Sequence, residues 1–371
     1  MVNFSAPPKV EETEITLIGT GGGYGECVVI KIGKKDWIVV DSCLDPMSKK
    51  SLATDYLESI SVDIENDVRV VLCTHWHDDH ILGISQLLDL AKNATFVMAK
   101  INDRQKFLSL VSLDYQKFDK SSNSTTLEFN KCLEILTKRQ MSTKSAICDR
   151  LIYKSHFDNK TFEVFSLSPS DLTIHEFDLE ISTLITEFGE NSNKRIIINS
   201  PNDKSVALYL KIGNERVLLG SDLEVGNNSE KGWLHILRNS QSIDSTKSSL
   251  FKIPHHGSQN GYHKDIWTNL LNPNPISKIT PWNRGKGLPS EDMLKIYKTH
   301  TENLYITSDN STPKSKKRDS LDPSINKFIK SVRPSLEEIK YKHGMIRSRI
   351  NHSDSVPTWL TETFGAASSI N

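Results

Sequence analysis

Cysteine is scarce in this sequence, and an excess of either charge is missing altogether. The five cysteines, Cys27, Cys43, Cys73, Cys132 and Cys148, are scattered, odd in number and form no Cys-x-x-Cys pair. Such spacing argues against a disulfide framework, and it reads as free thiols in a reducing cytoplasm. Lys plus Arg and Asp plus Glu number 46 each, for a formal net charge of zero. That balance argues against a globally basic nucleic-acid binder and leaves room only for a local basic groove. No apolar run approaches the roughly 20 residues of a membrane span, and the opening MVNFSAPPKVEETEIT lacks the apolar core of a signal peptide. Internal repeats and low-complexity tracts are also absent. What remains is an ordinary globular composition in a 371-residue chain, long enough to bury a sizeable core.

Apolar, β-rich runs at 14–19, 26–32 and 37–41 predict three strands. The glycine cluster 19–25 joins the first two as a hairpin, not a phosphate loop, since a strand and not a helix follows. Residues 1–12 read as a loose arm, 50–60 as a helix, 68–73 as a buried strand and 81–91 as a helix with a leucine stripe. The polar stretch 100–160 carries Phe107, Leu108, Leu110, Leu133, Ile135 and Leu136 at helical spacing. It predicts a helical insertion outside the main body and near the cleft. Strands are expected at 162–167, 180–186, 205–212 and 216–219. Helices near 229–239, 263–271 and 290–298 then alternate with strands at 249–253, 276–280 and 303–307. The run 310–321 reads as a loop, 324–332 as a last helix and 344–350 as the closing strand. Residues 1–371 thus form one domain, with 311–371 as an extension packed on it. Many strands with interspersed helices imply a layered α/β or α+β sandwich.

The chemistry concentrates in Thr74-His75-Trp76-His77-Asp78-Asp79-His80, directly after a buried strand and before a helix. His75 and His77 alternate, so an extended or tightly turned backbone aims both at one point. Asp79 and His80 follow at the turn and reach a second point nearby. Imidazole and carboxylate donors suit Zn²⁺, with Mn²⁺ or Fe as alternatives. Chance clustering is a poor explanation, because the whole chain holds only 12 histidines.

The His-x-His-x-Asp-His pattern resembles the signature of the metallo-β-lactamase superfamily, and three further segments follow in that family's order. Asp41 ends the strand Trp37–Asp41, Asp222 follows Leu218-Leu219-Gly220-Ser221, and His255-His256-Gly257-Ser258 follows Lys252-Ile253-Pro254. The resemblance spans roughly residues 13–310. It implies an α+β fold, a four-layer αββα sandwich, and two divalent metal ions held by His75, His77, Asp79, His80, Asp222 and His255 or His256. One of those last two histidines would ligate and the other would brace the site or touch substrate. The place of His255, first after the strand and proline, favours it as the ligand. Asp41 and Thr74 would brace the ligands. Asp79, Asp222 and His256 would stand closest to the reaction, with Asp222 bridging the ions. Most of the superfamily has a further histidine before the bridging aspartate. His156 and His175 are the candidates by order, but neither has a recognisable context, and Asn202 or Ser205 falls nearer that position.

The segment Asn202-Asp-Lys-Ser205 and the His-His-Gly-Ser run resemble the branch containing the C-terminal domain of the competence protein ComEC, associated with nuclease or phosphodiesterase activity. A fainter likeness, in the Gly-Tyr-Gly-Glu start, is to proteins of bacterial antiviral defence loci. The expected reaction is hydrolysis of a phosphodiester in nucleic acid or a nucleotide, with water held between the two ions as nucleophile. Arg284 and Lys286 are the candidate contacts for an anionic substrate. Two alternatives stay open: hydrolysis of a small ester, lactone or thioester, and a regulatory protein that binds a partner through 100–160 or the C-terminal region. His263 is an open candidate for the site's edge, and the Lys314–Arg318 basic run reads as a solvated face.

Overall fold

The computed structural model describes residues 6–21, 25–103, 106–111, 125–191, 201–283, 287–308 and 343–370. The chain first builds β1 (Glu12–Gly19), β2 (Glu26–Ile32) and β3 (Asp36–Val40) as an antiparallel meander. β4 (Val68–Cys73), β5 (Thr95–Ala99) and β6 (Thr143–Ala146) then add in parallel. A parallel step needs a crossover. The crossovers here are helical: α1 (Leu52–Ser59) and α2 (Ile64–Asp67), then α3 (Asp78–Ile81) and α4 (Ile84–Leu90), then α5 (Thr125–Arg139).

The second sheet begins with antiparallel β7 (Arg150–Phe157), β8 (Lys160–Ser166), β9 (Leu208–Ile212) and β10 (Glu215–Leu219). The helix α6 (Asp171–Asn191) lies between β8 and β9. β11 (Ser248–Lys252), β12 (Leu271–Ile279) and β13 (Leu304–Ile306) follow in parallel, with α7 (Gly232–Asn239) and α8 (Glu291–His300) as crossovers. The chain then returns to the first sheet with β14 (Gly344–Asn351) and β15 (Trp359–Gly365), and ends in β16 (Ser368–Ser369) on the second. Each sheet has eight strands, ordered β15-β14-β1-β2-β3-β4-β5-β6 and β16-β13-β12-β11-β10-β9-β8-β7.

Side-chain alternation makes the layers. Along β2, Val28 and Ile30 join the core between the sheets, while Cys27 and Val29 join the core under the helices. Both faces are covered, so β2 is buried at every residue, with an unbroken apolar run at 27–30. A third core, around Trp233, Phe251 and Tyr297, lies under α7 and α8. The result is helices, sheet, sheet, helices: the expected αββα arrangement.

Several elements depart from the sequence reading. Residues 180–186, rich in β-branched side chains, are helical within α6. Ile174, Phe177 and Ile181 are its buried face, spaced three and four apart, and this longer period overrides the local strand composition. Residues 143–146 and 150–157, read as part of a helical insertion, are the edge strands β6 and β7. The helix α5 belongs to the outer layer, with Phe129, Cys132 and Leu136 in the same core as α4. In place of a helix at 263–271 there is one wide helical turn, Ile266–Leu270, and β12 starts at once. The C-terminal segment is not an appended extension from 344 on. β14 pairs with β1 along its length, inside the first sheet, and β15 and β16 follow the strand read as the last. The expected loop at 310–321, the helix at 324–332 and the basic run at 314–318 lie outside the described residues.

Candidate metal centre

The site lies where the parallel strands of both sheets end. Asp41 follows β3, His75–His80 follow β4, Asp222 follows β10, and His255 and His256 follow β11. Two facing sheets therefore aim their strand ends into one cleft of about 380 Å³. Sharp backbone turns deliver the side chains: Asp41, Ser221, His255 and His256 have φ of 61°, 45°, 46° and 54°. Left-handed backbone at such non-glycine residues costs roughly 1–3 kcal/mol each, and it persists only where the surroundings impose it. Close packing helps to fix the loop. A Cβ at Gly25 would lie 2.6 Å from Cys43 Cβ and 3.0 Å from the Asp79 carbonyl oxygen, so only glycine lets β2 approach there.

Two groups of donor atoms meet in the cleft. Asp79, His80, Asp222 and His256 each bring a ligand atom within 4.8 Å of the others, and so do His75, His77 and Asp222. In the first group, His80 Nε2 lies 3.4 Å from Asp222 Oδ2 and 3.5 Å from Asp79 Oδ2. His256 Nε2 lies 3.3 Å from each of the same two oxygens. Donors about 2.0–2.2 Å from a tetrahedral ion lie about 3.3–3.6 Å from one another, so these separations fit one ion. In the second group, His75 Nε2 is 3.0 Å from His77 Nδ1 and 3.8 Å from Asp222 Oδ2. His80 Nε2 and Asp222 Oδ1 are buried with no hydrogen-bond partner among the described residues, as expected of atoms reserved for a cation.

Three of the imidazoles, His75, His80 and His256, are oriented from behind. Thr74 donates its N–H to Asp41 Oδ1 and its O–H to Asp41 Oδ2, both at 2.7 Å, and His80 Nδ1 lies 2.8 Å from the same Oδ2. His75 Nδ1 is 3.0 Å from Thr74 Oγ1. His256 Nδ1 is 3.0 Å from the Thr280 carbonyl oxygen, and the Trp282 ring stacks on its imidazole with centroids 5.4 Å apart. In every case the bracing contact takes one nitrogen and leaves the other for the cleft. Below Asp222, the buried Lys252 pairs with Glu26, donates to the Ser221 carbonyl oxygen at 2.8 Å, and lies 3.8 Å from Asp222 Oδ1.

The electrostatics show a site that demands positive charge. Burial works against a charged His80, but Asp222, Asp79 and Asp41 outweigh it and raise its pKa well above the usual imidazole value. The same contest, won by Asp222 and Asp79, pushes His256 up to about 10. Burial also opposes ionisation of Asp222, yet His256 and His80 hold its carboxyl well below the usual range. Burial pushes His75 and His77 down, so these two favour the neutral form that binds metals.

The sequence-derived set is therefore brought together, with one correction. His256, not the favoured His255, joins the donor cluster, because the left-handed turn after Pro254 swings the second imidazole inward. His255 lines the cleft, with Nδ1 3.3 Å from Glu224 Oε1 and Nε2 3.0 Å from Asn202 Nδ2. His156 sits on β7 beside Thr161, His175 is exposed on α6, and His263 lies by Asp265, none of them lining the cleft. Arg284 and Lys286 lie outside the described residues. Sequence reasoning missed Thr280, which acts through its backbone and leaves no side-chain signal. It also missed Thr125, whose hydroxyl donates to Asp78 across the cleft from α5, a long-range contact. Glu224, two residues beyond Asp222, carried a signal that an acidic pair could have given.

Residues 20–108, which hold Asp41 and the whole His75–His80 run, match the family model described as Metallo-beta-lactamase superfamily. The chain has the metallo-β-lactamase fold. Members of this superfamily are mostly metal-dependent hydrolases and typically bind two divalent metals, and this chain holds a His/Asp cluster that could bind metal. Among solved structures, the chain is similar to the metallo-beta-lactamase SMB-1 in complex with mercaptoacetic acid, at 14% identity and a TM-score of 0.34, over 68% of this chain and 81% of that one. It is also similar to AidC, a dizinc quorum-quenching lactonase in complex with its product, at 14% identity and a TM-score of 0.31, over 53% of this chain and 55% of that one. A third is a metallo-beta-lactamase from Hirschia baltica, at 8% identity and a TM-score of 0.26, over 60% and 73% of the two chains. No curated protein matches the chain. Among the described residues, no helix is long and apolar enough to cross a membrane.

Proposed function

We propose that this chain is a metal-dependent phosphodiesterase or nuclease of the branch that resembles the ComEC C-terminal domain. The observation that carries the reading is the pair of donor groups sharing Asp222 at the floor of one cleft. His75, His77 and Asp222 would hold one divalent ion and Asp79, His80, Asp222 and His256 the other, Zn²⁺ being best suited, with Mn²⁺ or Fe as alternatives. When bound, such a pair supplies a water with pKa near 7 and stabilises both the attacking and the leaving oxygen of an in-line displacement.

The chain's own groups suit a phosphoryl substrate. Asn202, His255 and Thr125 give the cleft wall a polar lining, as a phosphoryl substrate requires. Trp282, on the floor beside His256, offers a ring face on which a base can stack. Arg284 and Lys286 extend this reading to an anionic substrate, with nucleic acid or a nucleotide as its class and a partner surface left to the regions 100–160 and 311–371.

The test is hydrolysis of bis-p-nitrophenyl phosphate, plasmid DNA, cyclic nucleotides and a simple lactone by protein loaded with Zn²⁺ or Mn²⁺. The expected result is phosphodiester cleavage that stops on chelation and falls more than about 100-fold in His77→Ala and Asp222→Asn. Cleavage of the lactone alone would overturn the substrate assignment and leave the metal centre standing.

A further inference from the structure

The two donor groups are unequal. The deep group has four side chains, all buried, and two of them are carboxylates: Asp79, His80, Asp222 and His256. The outer group has three, His75, His77 and the shared Asp222, and His77 is only partly buried. A four-coordinate ion in the outer group lacks one protein ligand. Asn202 offers the cleft a neutral oxygen donor. It belongs to the short turn Pro201–Lys204, just before Ser205, whose Oγ is 3.4 Å from His75 Nδ1. It lines the same cleft as His77 and Asp222.

The Asn202 amide is fixed from one side only. Its Nδ2 donates to Glu224 Oε1 at 3.3 Å and lies 3.0 Å from His255 Nε2. Its Oδ1 is buried and has no hydrogen-bond partner among the described residues. An unpaired buried carbonyl is unfavourable, and ligation would remove that cost. Neighbouring groups are already engaged. Ser205 Oγ accepts the Asp222 N–H at 3.1 Å and lies 2.7 Å from Ser221 Oγ, and His255 is turned toward Glu224 and Asn202.

We infer that Asn202 Oδ1 completes the outer position, and that the two positions fill in order, the deep one first. A neutral amide oxygen is a weaker ligand than imidazole for zinc-type ions, and the outer group has one carboxylate where the deep group has two. Both features lower affinity at the outer position. The chain would therefore hold one ion firmly and take up the second according to the free metal concentration, so that the outer position sets when the centre is complete. This rests on the metal-centre reading above.

The experiment is a titration of metal-free protein with Zn²⁺, followed by calorimetry and by competition with a chelator. Wild type should show two steps differing at least about tenfold in affinity. His256→Ala should abolish the tighter step, His77→Ala the weaker one, and Asn202→Ala should weaken only the second by about 10- to 100-fold. Asn202→His decides the matter, because a misfolded variant can only lose affinity. It should strengthen the second step by a similar factor, bringing the two steps together. Equal steps in wild type, an unchanged second step in Asn202→Ala, or no gain in Asn202→His would each overturn the inference. If wild type takes up no Zn²⁺ at all, the metal centre itself fails, an outcome distinct from these three.

Discussion

Asp41 Oδ2 lies 2.8 Å from His80 Nδ1, so the residue just after β3 decides which nitrogen of His80 faces Asp79 and Asp222. The same carboxylate takes both hydrogen bonds of Thr74 and thereby ties β3 to the start of the histidine loop. In Asp41→Asn, one oxygen becomes an amide donor that faces other donors. Metal affinity at the position containing His80 should fall about 10- to 100-fold, with a stability loss of about 1–3 kcal/mol from the unmatched buried groups. Chelator competition and thermal unfolding check the two effects. Wild-type affinity in this variant would mean that His80 is oriented by packing alone.

Glu128 caps a helix to which it does not belong. Its Oε1 accepts the N–H groups of Gly83 at 3.0 Å and Ser85 at 2.9 Å, at the start of α4, where no side chain of that helix does so. Glu128→Ala should leave both donors unsatisfied and lower stability by about 1–3 kcal/mol. Glu128→Gln keeps an acceptor and should recover most of the loss. Equal destabilisation of the two variants, by denaturant unfolding, would show that charge and not the hydrogen bond matters.

Lys278 gives stability a pH dependence. It sits fully buried between the sheets, with Nζ donating to the carbonyl oxygens of Ile15 at 2.7 Å and Ile346 at 3.2 Å. Burial lowers its pKa from 10.5 to about 7, against a smaller opposing pull from Glu14. Between these two values the unfolded chain holds a proton that the folded chain releases, so stability rises with pH there and this contribution is flat below about 7. Relative to Lys278→Met, wild type should gain at most about 1.4 kcal/mol per pH unit from pH 7 toward 10. A stability difference between the two that does not change across that window would contradict the assignment.

Much of this was legible in the sequence because it rests on local pattern. The buried strand before Thr74, the His-x-His-x-Asp-His spacing, and the strand-ending Asp41 and Asp222 are short-range signals, and the fold places each at a strand end. What was not legible depends on distant partners. The inward turn of His256 follows from backbone left-handed at both histidines, which composition does not encode. The helix α6 was read in part as a strand because Ile181, Thr183, Ile185 and Thr186 favour β structure singly, while its buried face appears only over three turns. The strands β6 and β7 are edge strands; β6 has only four residues, and in β7 Leu151, Ile152 and Tyr153 stand together, so no alternation announced either one.

The most direct test of the account is the metal content of purified protein loaded with Zn²⁺ and desalted, measured by mass spectrometry for wild type and Asp222→Asn. The account predicts up to two ions per chain in wild type. It predicts a clear deficit in Asp222→Asn, because the shared carboxylate that offsets both positions is gone while its shape remains. Wild type without bound zinc, or an Asp222→Asn variant that retains as much as wild type, would contradict a metal centre built on Asp222.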